Sequence, residues 1–252
     1  MVGSQLYQRF AAEPFAVVME PGASANAIFA AVNNSSAWTQ VIRPLSLPSC
    51  LQLMMADVCG GTESVSMARQ VLKWRKEKPV EASEIWNQLL STNSQISRSL
   101  VQLADRIKGL TPYTLSVLQD RLDAGVNWTV PDSSIAIEEC CAVRKLFTKA
   151  RSLLKRMGEC AGVGIEPDEQ TRLANATEAV PGVLCAGVPG AGGVDAIFCL
   201  VLTPAAREKV ESLWSTWRDV NGAPTVVCPL MLQADSGSVP LGTRVEPSVQ
   251  WE

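Results

Sequence analysis

Two apolar runs, residues 182–188 and 194–202, are joined by Pro189-Gly190-Ala191-Gly192-Gly193. Each run is short and bounded by turn formers, the pattern of a buried strand rather than a helix. The pair therefore reads as two antiparallel strands linked by a glycine loop. Thr203-Pro204 follows at once, an N-cap residue with proline at the first helical position. Ala206, Val210, Leu213, Trp214 and Trp217 then mark one helical face. A last strand is expected at 226–232.

The first half of the chain is read in the same way. Tyr7 to Phe10 and Phe15 to Met19 suit short strands, and the small-residue segment Pro21 to Ser36 suits a loop. Leu51 to Val58 is an apolar run ending at Gly60-Gly61, again a buried strand. Ser64 or Ser66 caps the helix that follows, which carries Met67, Val71, Leu72 and Trp74 and ends at Lys78-Pro79. Ile85, Leu89, Ile96, Leu100, Leu103 and Ile107 recur at helical spacing to Gly109, with a break expected at Ser91 to Ser94. Thr111-Pro112 opens a further helix that closes at Gly125. Another is expected from Ser134 to Met157, stopped by Gly158, and one more from Pro167 to Ala179. The order is β, several α, β, β, α, β. With the helical insert contracted, that is the split β-α-β order of a ferredoxin-like sheet, an α+β fold.

Composition narrows the chemistry. The chain of 252 residues has no histidine, so histidine triads and histidine-ligated metals are excluded within it. Net charge is −3, and no clustered basic run is present to neutralise nucleic-acid phosphates. The densest basic group, Arg151, Lys155 and Arg156, reads as the solvated end of a helix. No stretch is long and apolar enough to span a membrane, and the opening MVGSQLYQRF has no apolar signal core. The eight cysteines contain no CxxC, and Cys185, Cys199 and Cys228 sit in strand-like runs. They read as buried free thiols of a reducing compartment. A cytoplasmic location is expected, with an organellar one left open.

Two glycine segments carry the candidate chemistry. Gly187 to Gly193 holds four glycines in seven residues. Successive amides in such a turn form an anion nest, although a plain hairpin turn has the same composition. Gly190, Ala191, Gly192, Gly193 and Asp195 are the candidate phosphate-contacting residues there. Asp57-Val58-Cys59-Gly60-Gly61-Thr62-Glu63-Ser64-Val65-Ser66 runs from a strand through glycines and hydroxyls to a helix N-terminus, which attracts anions. Gly60, Gly61, Ser64 and Ser66 are the candidates in that segment. Lys73 and Arg75 are candidate phosphate cations, and the same spacing also describes a solvated face.

Together the two segments resemble a known family. GVPGAGGVDAIFCLVL resembles the third conserved motif of the GHMP-superfamily kinases. LQLMMADVCGGTESVSMARQVLKWRKEKP resembles the matching segment of the eukaryotic-type phosphomevalonate kinases. VVCPLMLQ, GTRVE and the opening GSQLYQRF are similar to that family too, so the resemblance runs from Gly3 to Glu246. It implies residues 1–50 as a remnant of the segment between two lobes, 51–232 as a C-terminal lobe and 233–252 as a tail. It also implies transfer of the γ-phosphoryl group of ATP, with Mg2+, to 5-phosphomevalonate, in isoprenoid biosynthesis.

The family's phosphate loop and catalytic Asp lie upstream of the stretch like GSQLYQRF, so no catalytic residue is assigned within these 252 residues. A lobe of this kind implies either a kinase completed by further sequence or a non-catalytic phospho-ligand-binding or protein-interaction lobe. Self-association through an exposed inter-lobe face is expected.

Overall fold

The computed structural model describes residues 24–33, 50–61, 64–218, 220, 222 and 225–230. The short strands expected before residue 20 and the stretch 233–252 lie outside them. In chain order the elements are α1 (Ala25–Asn33), β1 (Gln52–Val58), α2 (Ser64–Glu77), α3 (Pro79–Lys108), α4 (Pro112–Ala124), α5 (Ile135–Ala161), α6 (Asp168–Glu178), β2 (Val183–Gly187), β3 (Ala196–Val201), α7 (Pro204–Ser215) and β4 (Val227–Leu230).

The strands form one four-stranded sheet in the order β2-β3-β1-β4, antiparallel at every pairing. That is the ferredoxin-like arrangement. Met54 of β1 stands opposite Cys199 of β3, and Ala56 opposite Ile197. These side chains, with Val58 and Val201, pack against Leu173 and Ala174 of α6 and Val210 and Trp214 of α7. On the opposite face, Cys140, Val143 and Phe147 of α5 pack against Leu184, Cys185 and Leu200. The strands β1 and β4 show an open surface, with Leu53 40% and Leu230 46% exposed.

The Thr-Pro cap signals hold, whereas Ser64 and Ser66, expected as caps, lie within α2. Thr111 Oγ1 accepts the Thr114 amide, and Thr203 Oγ1 accepts the Ala206 amide. Four further local expectations are corrected. The segment expected as a loop carries α1, an alanine-rich stretch whose Ser24 hydroxyl accepts the Ala27 amide. Alanine has the best helix propensity, and it prevails here over the turn composition.

The helix α3 runs unbroken through Ser91 to Ser94. Ser94 returns its hydroxyl to the Leu90 carbonyl, so this polar cluster bonds back into the helix instead of ending it. The helix α5 passes Gly158 and ends at Gly162 in the left-handed conformation. Gly158 is kept small for another reason: a Cβ there would lie 2.6 Å from the Val163 carbonyl oxygen. Finally, Cys228 is exposed, because β4 is an edge strand with one face uncovered.

Candidate functional site

The two glycine segments, far apart in sequence, meet at one end of the sheet. The Val58 amide donates to the Asp195 carbonyl at 2.8 Å, and the Cys59 amide to the Val226 carbonyl at 2.9 Å. A Cβ at Gly60 would come within 3.3 Å of the Val194 side chain. The β1–α2 turn and the β2–β3 loop are therefore packed side by side, with the start of α2 at Ser64 just beyond.

Within the β2–β3 loop the glycines divide the work. Gly193 donates its amide to the Ile165 carbonyl at 2.9 Å, and Gly192 donates to Pro189 at 3.3 Å. Gly192 is buried at a φ of +87°, and a Cβ there would stand 2.3 Å from the Ile165 carbonyl oxygen. Those two residues anchor the loop onto the α5–α6 connection. Gly190 and Ala191 form the exposed tip, and no backbone hydrogen bond engages their amides among the described residues. The open amides of the loop are thus those of Gly190 and Ala191.

Below the tip lies a cavity of about 330 Å³ between α2, α3, α5, β2 and β3. Met67, Val71, Trp86, Leu89 and Phe147 give it an apolar wall, and Gly190 and Ala191 sit on its rim. Its polar members are Asn93, Arg151 and Glu166. Arg151 was expected on a solvated helix end, but its side chain is only 14% exposed. Its Nε donates to both Glu166 carboxylate oxygens, at 2.9 and 2.8 Å, and its Nη2 lies 2.7 Å from Oε1. Nη2 also donates to the Thr171 carbonyl at 3.1 Å. Thr171 Oγ1 donates to Glu166 and accepts from Lys155 Nζ, and Lys155 pairs with Asp168 at 3.1 Å. Glu166 carried no sequence signal; its role depends on α5 and α6 folding against each other.

The remaining candidates are placed as follows. Asp195 is half-buried and Asp57 exposed, the latter opposite Ala196 and Cys228 on the open face. Gly61 is exposed and Ser66 is half-buried in the first turn of α2. Neither Lys73 nor Arg75 lines the cavity. Lys73 is exposed and lies 3.9 Å from Glu77. Arg75 lies over the Trp86 ring at 5.3 Å, and Trp86 in turn stacks on Trp74 at 5.8 Å. The chemistry of the donor set gives no support for a metal: no group of three His, Cys, Asp or Glu among the described residues is placed to hold one. No helix among the described residues is long and apolar enough to cross a membrane.

No family model matches the chain. Individual proteins do. The chain is 33% identical over 222 residues to "Phosphomevalonate kinase, peroxisomal" of Arabidopsis thaliana, a match covering 85% of this chain and 44% of that protein. It is 33% identical over 168 residues to a phosphomevalonate kinase of Candida albicans, covering 67% of this chain and 35% of that one. For the phosphomevalonate kinase of Gibberella zeae the identity is 28% over 225 residues, covering 87% and 43%. The chain thus spans less than half the length of these relatives.

Among solved structures, the fold is shared with a Lin0012 protein from Listeria innocua. The TM-score is 0.50 at 15% identity, over 84% of this chain and 51% of that one. Over 85% of its own length and 44% of the plant protein's, the chain is homologous to the phosphomevalonate kinases.

Proposed function

We propose that this chain is the phosphate-acceptor-binding part of a phosphomevalonate kinase, serving transfer of the γ-phosphoryl group of ATP to 5-phosphomevalonate. The observation that carries the reading is the meeting of the two family-like glycine segments at one end of the sheet. In this proposal Gly190 and Ala191 present amides to the substrate phosphate. Gly60, Gly61, Ser64 and Ser66 offer it the start of α2, where the helix dipole favours negative charge. Gly192 and Gly193 act indirectly, by fixing the loop on Ile165. Asp195 positions the second loop through its carbonyl bond to Val58.

Phosphoryl transfer is mainly positioning and neutralisation of charge. ATP would supply the transferred group and Mg2+ would neutralise it. The described residues offer neither a metal-ligand group nor an unpaired cation in the cavity wall, so no step is assigned to Mg2+ within them.

A coupled ADP-release assay on the purified chain, with calorimetric titration of 5-phosphomevalonate, tests the acceptor-site reading. The expected result is measurable binding without turnover by these 252 residues alone. Formation of 5-diphosphomevalonate that is abolished by Asp195→Asn would show a complete kinase site instead. Absence of binding would remove the acceptor-site reading.

A further inference from the structure

We propose that the cavity beneath the glycine loop binds a single-chain amphiphile, with an aliphatic tail inside and an anionic head at the Gly190 and Ala191 amides. This goes beyond the acceptor site proposed above, and rests with it on the Gly190 and Ala191 amides as anion donors.

The interior sets the tail. A volume of about 330 Å³ holds on the order of ten methylene-sized groups at about 30 Å³ each. Its wall combines three helices and two strands, and the side chains facing it are mostly aliphatic, aromatic or thioether. Met67 and Met157 stand in that wall, and unbranched thioethers adapt to chains of differing shape.

The wall's charges exclude a head group from the interior. Arg151 spends its Nε and Nη2 on Glu166 at 2.7–2.9 Å. The pair is neutral as a unit and leaves no surplus cation for a buried anion. A carboxylate or phosphate drawn inside would lose its hydration without a partner. For the same reason 5-phosphomevalonate, charged at both ends, fits the rim and not the interior.

The rim supplies what the interior lacks. Gly190 is exposed with a φ of +67°, and nothing lies within 4 Å of where a Cβ would sit. Its amide and that of Ala191 are outside the loop's own hydrogen bonds. Successive amides in such a turn are anion donors. Donors on the rim with an apolar cavity beneath define a ligand with one charged end. A fatty carboxylate and an alkyl phosphate share that chemistry. Either would compete for the rim with a phosphorylated substrate held there.

The test is calorimetric titration of the purified chain, below the micellar range, with sodium decanoate, decyl phosphate, butyrate, inorganic phosphate and decyltrimethylammonium. Saturable one-to-one binding is expected for decanoate, decyl phosphate or both, at least tenfold tighter than for butyrate or phosphate; the tighter ligand names the head. Ala68 is exposed on α2 and lines the cavity, so Ala68→Trp should fill it and weaken decanoate binding at least tenfold, with circular dichroism unchanged. If that variant misfolds, Leu72→Glu serves, placing a charge in the wall. No binding of either anionic amphiphile, equal binding of the cationic one, phosphate binding as tight as decyl phosphate, or full binding by a folded variant would each overturn the proposal. Loss of the preference for decanoate over butyrate overturns only the cavity proposal, whereas 5-phosphomevalonate binding, titrated separately, decides the acceptor site.

Discussion

The Ile165 carbonyl accepts the Gly193 amide at 2.9 Å, and the next residue, Glu166, is the carboxylate that Arg151 holds. A buried ion pair and the glycine loop are therefore coupled through a single peptide unit. The loop's position depends on α5 and α6 being locked together.

That coupling predicts a stability pattern. Arg151→Met leaves the Glu166 carboxylate, whose side chain is 4% exposed, buried without its cation. The expected cost is about 3–5 kcal/mol. Replacing both, as Arg151→Met with Glu166→Leu, should recover much of it. Urea unfolding midpoints of the two variants check this, and a double variant no more stable than the single one would contradict the pairing.

The loop divides into anchor and tip, and substitutions should separate them. Gly192→Val must clash with Ile165 and should unfold the local structure. Gly190 has open space, and Asp and Asn enter its conformation more readily than other side chains. Gly190→Asp should repel a phosphate by about 1.4 kcal/mol, a tenfold loss of affinity. Gly190→Asn should bind nearly as the parent does. Titration with 5-phosphomevalonate measures both, and equal affinities would remove the tip from the site.

Trp214 is fully buried, and its Nε1 donates to Thr177 Oγ1 at 2.9 Å. Thr177→Val keeps the shape but leaves the indole N–H unpaired in a dry core. A loss of about 1–3 kcal/mol is expected. Thr177→Ser retains the hydroxyl and should cost much less. Thermal unfolding of the pair distinguishes the lost hydrogen bond from lost packing.

Burial pushes the Cys50 thiol from its ordinary 9.0 up to about 11 and the Cys199 thiol up to about 12. It raises Cys140 and Cys185 as well. A thiol whose acidity is weakened by folding keeps its proton in the native state after the unfolded chain has lost it. Stability is then intact below pH 9 and falls as pH rises toward the folded values, from about 9 to 11 for Cys50 and to about 12 for Cys199. Denaturation midpoints measured from pH 8 to 11 should decline, and Cys199→Ala should flatten the slope. Cys59 and Cys228 are exposed; they should react with a thiol reagent in the native state while Cys140, Cys185 and Cys199 wait for denaturant.

The open surface of β1 and β4 is proposed to drive association of the isolated chain. Leu53→Glu with Leu230→Lys should shift sedimentation toward monomer. Unchanged association in that variant would place the contact elsewhere.

What was legible in the sequence was local. Thr111-Pro112 and Thr203-Pro204 declared their helices because a cap and its proline act within one turn. The hairpin was legible because the loop glycines and the flanking apolar runs are contiguous. The role of Arg151 was not, since its partner Glu166 becomes a neighbour only when two helices pack. Gly158 looked like a helix stop for the same reason: the Val163 carbonyl that requires a small residue there is invisible in one dimension. The site was half legible. Both candidate glycine segments stand out in the sequence, but which of the loop amides remain open is decided by Ile165, a residue with no motif of its own.

The order β2-β3-β1-β4 has a consequence for how the chain comes off the ribosome. The central strand β1 is made before both of its neighbours, which begin at Ala196 and Val227. Until then both its edges carry unpaired backbone groups, and Met54, Ala56 and Val58 lack the cover of Val210 and Trp214 of α7. The helices between β1 and β2 can fold from nearby contacts while β1 waits, because short-range pairings form first. The nascent chain is then a partly formed helical body trailing an open apolar strand, the kind of intermediate that aggregates or engages a chaperone. A ribosome stalled before residue 196 should therefore display a chaperone-binding segment at 51–58 that vanishes once β3 and β4 have emerged.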